Sequence, residues 1–398
     1  MIDLRAARAD PDGYRAALAR RKAEELFDSL LAADTAWRDA STRRDEVRAD
    51  QKRLGKPSSP EEIEDAKRLK AELRALDEEL ASAERERQTI WDQIPNVPDG
   101  AVPDGGEDDA TEVKRVGEPP AIESPLEHTE VGRFEMERAA RLSGSRFGFW
   151  VGDTALLALA MYRLALERLT AKGFVPVLPP VLVREGALYG TGWLPSPDPN
   201  SYRLDGEGLY LAGTAEIPLS GLHGDEILEA ESLPLRYVGF SPCFRSEAGA
   251  AGKDTRGMFR VHQFNKVEQF VFTKPEDSWD EHEYLLANTE EIVAELELPY
   301  RVVVLATGDM SKASAKTYDI EIWFPSQDRY RETASVSNTT DYQARRLDAR
   351  YRAEGGPEPV HTLNGTAAVD RMALAILENF QGDVPDALQA LGAPSTIS

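Results

Sequence analysis

Between residues 26 and 94 the apolar positions recur at alternating spacings of four and three. Leu26, Leu30, Ala33, Trp37, Ala40, Arg44, Val47, Gln51 and Leu54 form one row; Ala66, Leu69, Leu73, Leu76, Leu80, Ala83, Arg87, Ile90 and Ile94 form a second. That rhythm is the seam of a heptad coiled coil, in which each helix turns one stripe toward a partner. Gly55-Lys56-Pro57 ends the first helix, and Ser59, Pro60 and Glu62 start the second as N-cap, first-turn proline and capping-box acid. A short turn between two such helices predicts an antiparallel hairpin. Thirty residues at 1.5 Å each give an arm of about 45 Å. Arg44, Gln51 and Arg87 interrupt the seam with polar groups.

Beyond Ile94 the pattern lapses. Pro95, Pro98, Pro103, Gly105, Gly106 and the acidic run Glu107-Asp108-Asp109 read as a linker reaching Pro120. From about Ser124 helices and strands mix without repeats. Asp153 to Ala171 predicts an amphipathic to apolar helix closed by Lys172-Gly173. Phe174 to Pro180 predicts an extended, proline-limited strand suited to a sheet edge or a subunit contact. Strand-like runs follow at Leu209–Ala212, Arg236–Arg245, Met258–Phe272, Tyr300–Ala306, Tyr318–Trp323 and Arg331–Ser335. Few long crossover helices separate them, which favours an antiparallel sheet over a doubly wound one. The expected organisation is a helical arm over residues 1–100, a linker over 101–123 and one large domain over 124–398.

Charge narrows the field. Across 398 residues, 70 acidic side chains oppose 47 basic ones, for a net charge of −23, so a uniformly basic coat for nucleic acid is excluded. The distal half of the hairpin is the least acidic region, with Arg44, Arg48, Lys52, Arg53, Lys56, Lys67 and Lys70 placed to neutralise phosphates of an elongated polyanion. Periodicity alone suits a dimerising coiled coil equally well, and the same charges suit a solvated helix face with ion pairs. The lone Cys243 excludes a disulfide framework and a multi-cysteine zinc site, and fits a reducing cytoplasm. Neither a signal core nor a membrane-spanning apolar run stands out. The absence of GxGxxG and GxxxxGK[ST] argues against Rossmann and P-loop nucleotide sites.

Three segments concentrate chemistry. Phe244-Arg245-Ser246-Glu247 precedes a small-residue loop, and Arg260 to Glu268 follows it as a strand on which His262, Phe264, Lys266 and Glu268 share a face. Arg331-Glu332-Thr333-Ala334-Ser335 offers carboxylate and hydroxyl oxygens of the kind Mg²⁺ prefers when it shares a nucleotide phosphate. Thr362 to Arg371 puts a third arginine at a helix start. Singly each has a plain reading: a surface arginine, a solvated glutamate, a hydrogen-bonded structural His262, a buried Cys243. Together Arg245, Arg260, Arg371 and the acids point to phosphate chemistry by charge stabilisation, with no nucleophile or acid/base pair required.

These segments resemble motifs 2 and 3 of class II aminoacyl-tRNA synthetases, and Gly173 to Pro180 resembles motif 1. More narrowly, the chain resembles bacterial seryl-tRNA synthetases nearly end to end. The resemblance runs through Leu188 to Gly192, Gly213 to Leu219, Phe244 to Glu247, Lys253 to Glu268, Gln343 to Leu347 and Thr362 to Gly365. It implies an α+β protein: an N-terminal antiparallel coiled-coil hairpin plus a class II antiparallel sheet domain flanked by helices. It further implies a cytoplasmic homodimer that binds tRNA(Ser) through the hairpin and uses L-serine, ATP and Mg²⁺, without zinc.

By that resemblance Arg245 and Arg371 are catalytic. Arg245, Ser246, Glu247, Arg260, Phe264, Glu332, Thr333, Ala334, Ser335 and Arg371 bind ATP, with Arg245 on the α-phosphate and Phe264 under the adenine. Glu332 and Ser335 hold the metal. Thr214, Ala215, Glu216, Glu268, Asn364 and Thr366 form the serine pocket. Departures from the family's usual text fall at Ala250-Ala251, Ala334, Val336, Trp193 and the short tail after Gln381. They leave room for a specialised second copy. A tRNA-binding or regulatory paralogue with weakened catalysis, and serine activation for a non-tRNA acceptor, are the competing readings.

Overall fold

The computed structural model describes residues 1–196, 200–247 and 257–398. The chain divides into two compact units, Met1–Val97 and Pro98–Ser398.

In the first unit, α1 (Leu4–Ala9) and α2 (Pro11–Ala19) lead into α3 (Glu24–Leu54) and α4 (Pro60–Trp91). Every position of the two heptad rows is buried or half-buried. The Ser59/Glu62 capping box forms at the start of α4. At the base of the hairpin Ile2, Leu4, Leu18, Phe27, Leu30 and Ile94 make a small core. Beside it Asp34 is 1 % exposed. It accepts from Arg8 at 3.0 Å and from Arg87 at 3.3 Å. The Arg87 guanidinium also lies 3.8 Å from the Trp37 ring centre. One carboxylate thus joins α1, α3 and α4.

The second unit is built on an eight-stranded sheet. Its strands in chain order are β1 (Thr111–Val116), β2 (Val175–Val177), β3 (Leu235–Phe244), β4 (Gln263–Thr273), β5 (Tyr300–Val304), β6 (Lys316–Phe324), β7 (Arg329–Asn338) and β8 (His361–Val369). The spatial order is β1-β5-β6-β7-β8-β4-β3-β2. All neighbours are antiparallel except the edge pair β2–β3. Helices α5 (Asp153–Ala171), α7 (Ser278–Glu295) and α9 (Asp370–Phe380) supply apolar side chains to a core with one face of this sheet, joining Leu157, Met161, Leu285, Ile292 and Ile376 to Val267, Val271, Ile320, Val336 and Leu363. On the other side α6 (Glu216–Ser220) and α8 (Tyr342–Leu347) pack Ala215, Leu219 and Ala344 against Phe270 and Phe272.

The structure differs from the sequence expectation in four places. Residues 111–116 form an edge strand inside the expected linker; their mostly exposed, charged side chains carry no apolar alternation to reveal it. Residues 98–123 are part of the second unit, with Asp99, Thr307 and Gly308 bonding through their amides to Ala315, Pro103 and Gly105. The run expected to be strand from Met258 begins at Gln263, because its partner β3 ends at Phe244 and Gln263 pairs with that residue. Strand β8 was not legible as a strand, since it is buried along both faces and so lacks alternation. Among the described residues no helix is long and apolar enough to cross a membrane.

Asp34→Asn leaves Arg87 charged and mostly buried without its counter-ion. The expected cost is about 3 kcal/mol, with amide exchange in α3 and α4 faster by about 100-fold while the sheet is unchanged. Hydrogen exchange on the full chain reads both at once.

Candidate active site

A cavity of about 300 Å³ opens on the face of the sheet away from the main core. Thr214, Glu216, Arg245, Glu247, Arg260, Phe264, Glu268, Glu332, Thr333, Ser335, Asn364, Thr366 and Arg371 all line it. These residues come from segments up to about half the domain apart in sequence. Sheet alternation explains the convergence: on β4, Phe264, Lys266 and Glu268 face the cavity while Val267 and Val271 enter the core.

One end of the cavity is a carboxylate floor. Lys266 donates to Thr214 Oγ1 at 2.7 Å and pairs with Glu268. Glu216 Oε1 accepts from Gln343 at 2.7 Å and from Asn364 at 3.0 Å. Burial, followed by the repulsion of Glu268, pushes the Glu216 carboxyl up to about 7. Burial also raises Glu268, opposed first by Lys266 and then by Arg245. Two acids share one low-dielectric space, and only one has a lysine at its side. That asymmetry separates their titrations.

The other end is basic. Arg245 donates from Nε to the Gly213 carbonyl at 3.2 Å, with the Trp193 and Phe264 ring centres 5.9 Å and 5.3 Å from its guanidinium. Arg260 is paired with Glu247. Arg371 donates to the Phe259 carbonyl at 3.2 Å and the Glu332 carbonyl at 3.0 Å, and covers the Phe259 ring at 4.5 Å. Burial lowers its guanidinium affinity for a proton from the usual value. A carbonyl bond fixes Arg245 in direction without neutralising it, which leaves its charge available to an anionic ligand, whereas Arg260 faces Glu247 and Arg371 also lies 3.5 Å from the Glu332 carboxylate.

Three expected site residues stand elsewhere. Ala215 is fully buried against Leu219 and the backbone of Gly239. Ala334 is buried in the core behind the sheet, because alternation along β7 sends Thr333 and Ser335 to the cavity side. Ser246 bonds the Asn200 side chain at 3.3 Å outside the cavity lining. Val336 points into the same core as Ala334, so neither departure from the family text reaches the cavity through its side chain. Trp193 does line it and packs across Gly213, where an added Cβ would come within 2.6 Å of the ring. Ala250 and Ala251 lie outside the described residues. His262 bonds Tyr202 and the Arg245 carbonyl, and Cys243 is buried and free, as structural residues do.

Sequence reading did not assign Lys266, Gln343 or Asp370 to the site. Lys266 was visible by alternation with Glu268. Asp370 lines the cavity, accepts from the Asn265 amide at 3.0 Å and from Tyr162, and burial lifts its carboxyl to about 7. Gln343 acts through Glu216 and carried no local signal. Its neighbour Arg346 holds the carbonyls of Tyr189 and Leu194, both at 2.9 Å, and so fixes the loop bearing Trp193.

Glu332 and Ser335 present hard oxygens on the cavity wall. Among the described residues no group of three His, Cys, Asp or Glu side chains is poised to enclose a metal. The donor set therefore fits an oxygen-loving cation completed by ligand phosphate, not a closed protein cage. Across the ladder from Ser335, buried Asp319 keeps one carboxylate oxygen without a hydrogen-bond donor among the described residues.

In the first unit Arg48, Lys52, Arg53, Lys56, Lys67 and Lys70 are exposed. Arg44 is not presented in the same way: it is half-buried and bonded to Asp77 at 3.1 Å across the hairpin and to Asp45 at 3.0 Å. Arg53 pairs with Asp50 on its own helix.

Comparison with known proteins agrees with this geometry over the whole chain. Residues 1–98 match the seryl-tRNA synthetase N-terminal domain, and residues 202–380 match the tRNA synthetase class II core domain (G, H, P, S and T). The chain is 46 % identical to a serine–tRNA ligase of Thermobifida fusca over 98 % of this chain and 97 % of that one. It is 47 % identical to one of Mycolicibacterium smegmatis over 96 % and 94 %. The crystal structure of seryl-tRNA synthetase from Pyrococcus horikoshii complexed with ATP superposes with a TM-score of 0.93 at 36 % identity, covering 100 % of this chain and 99 % of that one. With an arm, a class II sheet and a cavity that joins a carboxylate floor to fixed arginines, the chain belongs to the seryl-tRNA synthetase family.

Proposed function

We propose that this chain activates L-serine with ATP and passes the seryl group to tRNA(Ser), with the cavity residues in the following roles. The serine ammonium sits over Glu216 and Glu268, and its hydroxyl lies near Asn364 and Thr366. Phe264 stacks under the adenine with Glu247 nearby. Arg245 takes the α-phosphate, while Arg260 and Arg371 take the remaining phosphates. A serine carboxylate oxygen then attacks the α-phosphorus. The new O–P bond forms as the bond to the bridging oxygen breaks, and pyrophosphate leaves with the electron pair. In the second step the terminal ribose hydroxyl of the tRNA attacks the seryl carbonyl carbon, and AMP leaves.

The observation that carries this reading is the polarity of the cavity. Its carboxylate floor suits an amino-acid ammonium, and Arg245, Arg260 and Arg371 suit phosphates. Phosphoryl transfer asks little more of the protein than position and charge. Rejection of alanine follows from polar groups left unpaired when the hydroxyl is missing. Glu332 and Ser335 would hold Mg²⁺, which when bound supplies positive charge to the phosphates.

The exposed lysines and arginines of the hairpin favour a tRNA contact on that arm. Exposed Leu156, Leu159, Val175, Leu178 and Leu182, on or beside α5 and the β2 edge, favour a homodimer through that face.

ATP–pyrophosphate exchange across the standard amino acids tests the pocket: serine alone should support it. Arg245→Ala should lower that exchange by at least about 10²–10³-fold, and unaltered exchange would remove Arg245 from the site. The serine KM should carry the Glu216 titration. The substrate ammonium favours the ionised carboxylate, so a raised carboxyl binds serine poorly while protonated. Below about pH 7 the KM should rise by up to about tenfold per pH unit, level off above it, and lose this dependence in Glu216→Gln. Replacing Lys52, Lys56 and Lys70 together with alanine should leave serine-dependent exchange intact. Such a variant should weaken tRNA charging and reduce its salt sensitivity, by a slope of about two to three.

A further inference from the structure

Asp319 has no role in the site as described so far, yet its surroundings are hard to explain without a cation. It lies on β6 directly across the ladder from Ser335 on β7. Tyr318, Ile320, Ile322 and Phe324 take the core side of β6. Alternation therefore turns Asp319 to the cavity side, the side on which Thr317 meets the cavity-lining Ser337 at 2.9 Å. Asp319 is only 7 % exposed. Ser335 hydrogen-bonds its carboxylate, while Oδ1 has no hydrogen-bond partner among the described residues. Like charges from Glu332, Asp309 and Glu321 act on it as well. A buried carboxylate oxygen with neither donor nor cation destabilises the fold, and crowding by other acids adds to that cost. Packing does not call for it, because the core lies on the other side of the strand.

We propose that Asp319 is an oxygen ligand of the divalent cation assigned above to Glu332 and Ser335, and that it lets the protein take up that cation before ATP arrives. The proposal rests on that cation reading. Glu332 and Ser335 on β7 and Asp319 on β6 form three hard-oxygen groups along one hairpin. Two carboxylates match a divalent charge, and the remaining coordination positions stay open to water and phosphate, as Mg²⁺ prefers. With only Glu332 and Ser335, the cation would have to come in with the nucleotide. With Asp319, carboxylate charge equal to the cation's is already built into the sheet.

Mn²⁺ binding to the full-length protein, followed by the loss of the free-ion electron paramagnetic resonance signal, tests this without any turnover. Wild type should bind one Mn²⁺ in the absence of ATP, and Asp319→Asn should weaken that binding by about tenfold or more. Thermal unfolding separates a ligand from a structural residue. In metal-free buffer Asp319→Asn should unfold no lower than wild type, and Mn²⁺ should raise the wild-type midpoint but not that of the variant. Equal Mn²⁺ affinity in the two proteins overturns the proposal. So does a variant that unfolds well below wild type without metal, or fails to fold, since Asp319 is then needed by the fold itself. If wild type binds Mn²⁺ only with ATP and the variant matches it, Asp319 falls and the cation reading of Glu332 and Ser335 stands. If wild type binds no Mn²⁺ even with ATP, both fall.

Discussion

Two carboxylates facing one cavity, one buried and one half-buried, repel each other, and the protein must answer that repulsion before the cavity can serve a cationic ligand. Glu216 and Glu268 are so placed. The answer is asymmetric. Lys266 stands beside Glu268, and Glu216 receives only neutral amides from Gln343 and Asn364. A lysine on both would have cancelled the floor's attraction for an ammonium, and a lysine on neither would have left the floor protonated. The rest of the second unit follows from keeping this arrangement rigid. Residues on β4, β8, α6 and α8 must meet within hydrogen-bond distance, and the mostly antiparallel sheet with helices on both sides holds these four elements in place.

The sheet divides its labour by face. Odd-numbered positions of β4, such as Val267 and Val271, pack against α5, α7 and α9, while the even-numbered Phe264, Lys266 and Glu268 line the cavity. On β7 the division is the same, with Ala334 and Val336 behind and Thr333 and Ser335 in front. This explains why the family-text departures at Ala334 and Val336 leave the cavity wall untouched, while Trp193 alters it. Trp193 belongs to a loop held by Arg346 and lies against Gly213, whose carbonyl orients Arg245. A change at that position reaches Arg245 through one hydrogen bond.

The first unit solves a different problem. A two-helix hairpin buries little surface, and its seam contains Arg44 and Arg87. Neither is wasted. Arg44 crosses to Asp77, and Arg87 is shared between Trp37 and the buried Asp34. Polar seam positions specify helix alignment at some cost in stability; Arg44 ties the helices in the distal half and Arg87 does so beside the base, where α1 and α2 add an apolar core. The exposed basic side chains toward the turn are thereby carried on a fixed support.

Local periodicity determined much of this protein in advance. The heptad rows, the capping box, the helix Asp153–Ala171, most of the antiparallel strands and the common face of Phe264, Lys266 and Glu268 all follow from spacings of two to four residues, which the backbone enforces wherever the chain folds. The family resemblance added roles that spacing alone does not carry. Tertiary structure decided what depends on distant pairing and on desolvation. Strand β8 is buried on both faces and strand β1 is polar at an edge, so neither shows alternation. The direction of Ala334 depended on register, that of Ala215 on how α6 docks on the sheet, and the employment of Arg44 on the helix across from it. Above all, nothing near Glu216 in the chain announces Gln343, Asn364 or Glu268, and nothing near Ser335 announces Asp319. A carboxylate acquires a shifted affinity for protons or cations only when folding removes its water and chooses its neighbours.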